Sequence, residues 1–158
     1  MNLTLALAIL IIGFATGLRS MTTPAAVAWA AHLGKLSLGA TWLSFMASPI
    51  TVGILSLFAL GEFVADLLPG TPARTAALGL TARFITGTFS GACLSAATGN
   101  SIAFGLIGGV AAIGGAFAGY YARTGLVKSL GVKDAFIAIP EDVVAIGLAV
   151  LSVCLISK

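Results

Sequence analysis

Long apolar runs, interrupted by prolines, glycines and isolated charges, set the pattern of this chain. The runs are continuous rather than alternating, which favours helices over barrel strands of about ten residues. Proline parses them, because it lacks an amide donor and is best tolerated in the first turn of a helix behind a hydroxyl cap. Thr23-Pro24, Ser48-Pro49 and Thr71-Pro72 each open a helical stretch, Pro69 follows a helix end, and Pro140 falls inside the last apolar run. The predicted segments are Asn2 to Leu18, Pro49 to Leu68, Pro72 to Ala97, Ser101 to Ala122 and Ala135 to Ile156, most of them near the ~20 residues needed to cross a bilayer. The stretch from Pro24 to Ala47 is apolar but broken by His32, Gly34, Lys35 and Gly39. A re-entrant hairpin, an interfacial pair and a sixth span all fit it.

Composition narrows the class. With 59% hydrophobic and 8% charged residues in 158, and a mean hydropathy of +1.12, the chain lies far from soluble proteins, where charge is about 25%. The expected fold is an all-α membrane protein, a compact bundle of about five transmembrane helices plus a short re-entrant or interfacial segment, as one domain over residues 1–158. Eight Lys and Arg against five Asp and Glu give a net charge of +3, but they form no basic stripe, so nucleic acid is not an expected partner. The lipid bilayer is.

Arg123, Lys128 and Lys133 fall together between Arg123 and Asp134, a loop that the positive-inside rule assigns to the cytoplasm, and Arg74 lands on the same side. Five spans then put the N-terminus in the cytoplasm and the C-terminus outside, whereas a sixth span moves the N-terminus outside. The first run has signal-peptide length but no positive n-region, so it is expected to stay as a helix. Cys93 and Cys154 share no short spacing and suggest neither a disulfide framework nor a zinc site.

Two small-residue stripes stand out. Gly105, Gly108, Ala112, Gly115, Gly119 and Ala122 alternate spacings of three and four, and Thr75, Gly79, Arg83, Gly87, Gly91 and Ser95 recur at spacing four. Such faces let backbones approach closely, either within the chain or in a homo-oligomer. Internal similarity also sets ALGEFVADLL beside AIPEDVVAIGL and GFATGLR beside GAFAGYYAR, as an inverted repeat would.

Arg83 is the most unusual position. About eleven residues past Pro72, it sits roughly 16 Å along a helix, too deep to snorkel easily. An unpaired charge there costs at least ~2.5 kcal/mol. Glu62 and Asp66, one turn apart, and Glu141 and Asp142, just inside the last helix, lie at compatible depth. A buried charge cluster is therefore expected, with Pro140 leaving Glu141 and Asp142 at the start of a restarted half-helix. A salt-bridge staple joining three helices is the structural alternative to a transport or gating site.

Arg19 lies in GLRSMTTPAA, between one helix end and the next helix start, where free amides, Thr22 and Thr23 could hold an anion or simply cap the helix. One histidine, His32, and the absence of HExxH, GxSxG, CxxC and P-loop patterns speak against an enzyme, a metal site or a cofactor. The candidate binding residues are thus Arg19, Glu62, Asp66, Arg83, Glu141 and Asp142, and the expected role is passage of an ion or small solute.

GLRSMTTPAAVAWAA, EFVADLLPGTPART with GLTAR, and AGYYAR followed by EDVVAIG together resemble a bacterial integral-membrane family catalogued as a domain of unknown function. The resemblance covers nearly the whole chain. It implies a compact polytopic helical protein of the bacterial inner membrane, and it supplies no substrate or mechanism. Arg19, Glu62, Asp66, Arg74, Arg83, Arg123, Glu141 and Asp142 fall within its motif blocks.

Overall fold

A computed structural model describes residues 1–65, 75–131 and 134–157, which form helices and tight turns with no strand among them. Helix α1 (Leu3–Leu18) starts on Asn2, whose side-chain oxygen accepts the Leu5 amide at 2.8 Å. The chain then reverses through Arg19, Ser20 and Met21 into α2 (Thr22–His32). Gly34 ends α2 with φ 71°, and the amides of Gly34 and Lys35 turn back to the Ala31 and Ala30 carbonyls at 3.1 and 2.8 Å. Glycine takes this left-handed conformation without a Cβ penalty. An irregular stretch and a 3-10 turn (Trp42–Ala47) follow, anchored by the buried Leu36, Leu38, Leu43 and Met46. Helix α3 (Pro49–Ala65) opens on Ser48-Pro49 as expected, with the Ser48 hydroxyl accepting the Ile50 amide at 3.3 Å. Helix α4 (Ala77–Ala97), a 3-10 turn (Ile102–Phe104), α5 (Gly105–Leu130) and α6 (Asp134–Cys154) complete the chain.

Close contacts fix the helix directions. Gly13 lies against Gly108, and Gly17 against Ala112 and Ala116, so α1 and α5 run parallel. Gly91 meets Gly105 and Gly87 meets Gly108 and Ala112, so α4 runs against α5. Trp29 bonds Ser56 while Ser20 bonds Glu62, so α3 runs against α2. Helix α6 packs on α1 and α2, with Asp142 beside Arg19. The passes alternate in direction, which puts the two termini at the same end. Termini at the same end agree with the alternative in which Pro24 to Ala47 makes a further pass, rather than with five passes: α2 itself turns the chain around.

Other expectations change in length rather than kind. Pro24 to Ala47 carries a single helix, α2, whose 11 residues are fewer than the ~20 a helix needs to span by itself. Ile102–Leu130 and Phe136–Cys154 are long and apolar enough to cross a membrane, whereas Leu3–Leu18 and Pro49–Ala65 are apolar but shorter. Helix α5 outruns its predicted end at Ala122, so Arg123 and Lys128 ride on its last turns, and Gly131 with φ 63° stops it. Pro140 lies inside a continuous α6, leaving Glu141 and Asp142 within the helix rather than at a restarted N-terminus. The predicted start of α4 at Pro72 falls outside the described residues. The two internal matches do not form one inverted repeat, since α1 and α5 run parallel while α3 and α6 run antiparallel.

Both glycine stripes find their partners within the chain. Gly105, Gly108 and Gly115 press against α4 or α1, and Gly87 against α5, at separations that leave no room for a Cβ, while Gly91 meets α5 and α1 in a tight contact. Backbone-to-backbone approach of this kind lets dispersion contacts accumulate over three helices at once.

Candidate functional site: ion pairs at a buried helix break

The turn between α1 and α2 is not at the surface. Arg19 is 1% exposed and Thr23 fully buried, and Ser20 and Thr22 are buried beside them. A helix start enclosed in this way must find acceptors for its free amides. Glu62, from α3, supplies them: one carboxylate oxygen accepts the Ser20 amide and the Ser20 hydroxyl, both at 2.8 Å, and the other accepts the Met21 amide at 2.9 Å. A carboxylate at the positive end of a helix is favoured electrostatically as well. The anion that the GLRSMTTPAA turn invites is the chain's own Glu62. The threonines do not cap: the Thr23 hydroxyl is used elsewhere, and Thr22 Oγ1 is buried without a hydrogen-bond partner.

Three arginines surround this turn. Arg19 Nε donates to Asp142 Oδ1 at 2.6 Å and Nη2 pairs with the same oxygen, while Nη1 donates to the Glu62 carbonyl at 3.4 Å. Its guanidinium also lies 5.1 Å from the centre of the Phe63 ring, in cation-π range. Arg83 Nε donates to the Gly17 carbonyl at 3.0 Å and Nη1 to Gly79 at 3.2 Å, with Nη2 4.0 Å from the Glu62 carboxylate. Arg123 Nη1 lies 3.5 Å from Glu141 Oε2. The pairs tie the α1–α2 turn to α6, α4 to α3, and α5 to α6.

Five of the six residues singled out in the sequence, Arg19, Glu62, Arg83, Glu141 and Asp142, thus come together at one end of the bundle. Asp66 lies outside the described residues, as does Arg74. The division of labour differs from the expected one. The charge cluster expected around Arg83 is shared among three arginines: Glu141 joins Arg123, Asp142 joins Arg19, and Arg83 faces Glu62 while also donating to two carbonyls. Arg19, rather than Arg83, is the more deeply buried cation.

Arg123, which the sequence groups with Lys128 and Lys133 in a basic cytoplasmic stretch, belongs to the cluster through Glu141. The signal was present in the match of GFATGLR to GAFAGYYAR, which aligns it with Arg19. Sequence reading also missed a chain of hydroxyls next to the break. Thr16 donates to the Ile12 carbonyl at 2.7 Å, so the Thr23 hydroxyl, 2.6 Å away, donates to Thr16 and accepts from Ser90 at 3.4 Å. All three residues are fully buried, and they join α1, α2 and α4.

Searches of curated proteins and of solved structures returned no match. The profile of the family described as domain of unknown function DUF4126 matches residues 6–155, which include every residue of the ion-pair cluster, and the chain belongs to that family.

Proposed function

We propose that this chain is a membrane-embedded helical bundle, and not an enzyme, that passes an ion or small solute through a site built on the buried arginine and carboxylate cluster. Support for the membrane comes from its outer faces. Leu3, Ile50, Leu57, Leu78, Val110 and Val143 are all more than 60% exposed, on five different helices. Soluble monomers rarely expose contiguous apolar patches beyond a few hundred Å². The two long apolar helices add to this, and on the positive-inside rule the end with Arg123 and Lys128 faces the cytoplasm of a bacterial inner membrane.

The observation that carries the transport reading is the buried break between α1 and α2. Half-helices that meet inside a bundle, with charged groups at the break, are a recurrent way to build a solute site in transporters. Here Glu62 holds the Ser20 and Met21 amides that lead into α2, between Arg19 and Arg83, and it is the group an incoming anion would displace or an incoming cation would join. A specific observation also favours a second reading, a scaffold or assembly factor: each described carboxylate of the cluster already bridges two helices.

Proton, sodium and chloride flux in proteoliposomes separates the two. The transport reading expects flux of at least one ion, reduced tenfold or more by Arg83→Leu and by the milder Glu62→Gln with protein incorporation unchanged. Flux indifferent to both substitutions removes the site. No flux with any of the three ions, alongside destabilisation by both variants, leaves the scaffold as the better account.

A further inference from the structure

An apolar groove of about 530 Å³ runs along the outside of α2, between α3 and α6. Thr22 and Phe63 close its inner end, Ala26, Ala59 and Ile146 line its middle, and Lys35 stands at its outer mouth. We propose that the groove binds one acyl chain of an anionic phospholipid whose phosphate sits on Lys35. The inference rests on the membrane placement proposed above and is independent of transport.

Length, lining and charge each point to that occupant. Helix α2 has 11 residues and is about 16 Å long, close to half of a ~30 Å hydrocarbon core, so the groove matches one leaflet. Its walls are almost wholly aliphatic and aromatic, as an acyl chain requires. Lys35 is the one lysine or arginine side chain at the groove's outer mouth among the described residues; Arg19, Arg83, Arg123 and Lys128 lie at or beyond its inner end, by the α1–α2 turn. Its position is fixed by the backbone, because the Gly34 turn locks the Lys35 amide onto Ala30 at 2.8 Å. Trp29, on the rim, donates to Ser56 at 3.1 Å across the groove and sits where an amphipathic ring meets the headgroup region.

Trp29 also reports on the occupant. In a Trp42→Phe background it is the sole tryptophan, and bromine on acyl chains quenches a tryptophan they touch. The protein is reconstituted into phosphatidylcholine vesicles containing a minor fraction of phosphatidylglycerol with brominated chains. Quenching is expected to report a local phosphatidylglycerol fraction about fivefold above the bulk, the factor one lysine contributes beside an anionic lipid. Lys35→Gln, an exposed change that leaves the core untouched, is expected to return quenching to the bulk value. Ala26→Phe, which fills the groove, is expected to do the same.

Quenching at the bulk value in the unaltered Lys35 protein overturns the proposal, as does enrichment that survives Lys35→Gln. Thr22→Val tests the reverse pose, with a polar head buried against the unpartnered Thr22 hydroxyl. Enrichment unchanged by it supports the headgroup on Lys35, and enrichment lost with it overturns that placement. Failure of the protein to enter vesicles at all would instead sink the membrane reading itself.

Discussion

The two sides of the bundle hold together by different physics. Where α1, α4 and α5 meet, glycine and alanine bring backbones into direct contact, and an added Cβ at Gly13, Gly17, Gly105, Gly108 or Gly115 would overlap a neighbouring main chain. Where α2, α3 and α6 meet, a groove remains open; Gly53, Gly61 and Gly147, on the outward faces of α3 and α6, have open space about them. The first side is closed by shape. The second is tied at one end by ion pairs and left apart along its length. Close packing is bistable rather than deformable, so the glycine seam is suited to act as a rigid frame.

The largest expected effect therefore comes from the seam. Gly115→Val, on α5, puts a branched side chain into the carbonyl of Phe14, and relief requires α1 and α5 to part. Overpacking typically costs up to ~3 kcal/mol, and the loss here should reach or exceed that figure, seen as failure to accumulate as folded protein in detergent. A variant as stable as the native protein would mean the seam is loose, and the contrast between the two sides would disappear.

Next comes the tie on the other side. Arg19→Met leaves Asp142 without its buried partner, and removal of one member of a buried pair costs about 3 kcal/mol. Arg19→Met with Asp142→Asn should regain a large part of that loss, because the charge that faced Arg19 is removed with it. Denaturant or thermal unfolding in detergent measures both. Losses that simply add would show that the two groups act apart.

How much of this was readable beforehand depends on the kind of signal. The glycine spacing announced close packing, since few other forces produce small residues at every third or fourth position, but it could not say which helix would fill the stripe. Arg19, Glu62, Arg83, Glu141 and Asp142 were recognisable because a charge in an apolar run must find company. Their pairing was not, because it depends on helix directions, and the direction of the whole first half turns on whether α2 reverses. Pro140 misled for a related reason. A proline removes one backbone bond, yet packing on α1 and α2 carries α6 straight through it. Arg123 was hidden by its place beside Lys128 and Lys133, a basic grouping that says nothing about an acidic neighbour on the next helix.

A smaller effect is expected where the two sides meet, at the hydroxyl chain. Thr23→Val keeps shape but removes the link from Ser90 to Thr16, at about 1 kcal/mol for a buried hydrogen bond. Thr23→Ser should restore most of it, leaving only a missing methyl. Equal losses for valine and serine would assign the role of Thr23 to packing alone.

The smallest effect is the sharpest test of the contrast. Gly147→Ala, on the outer part of α6, adds a methyl with no atom within 4 Å and at a helical position with no positive φ. Alanine in a helix interior is favoured over glycine by about 1 kcal/mol at most, so the variant should be unchanged or slightly stabilised. The same added methyl at Gly115 has nowhere to go, so the pair of alanine variants compares the closed seam with an open outer face by one chemical change. If Gly147→Ala instead destabilises as Gly115→Ala does, the outer face of α6 is covered in the working protein, and a second copy of the chain becomes the natural occupant to look for by cross-linking across that face.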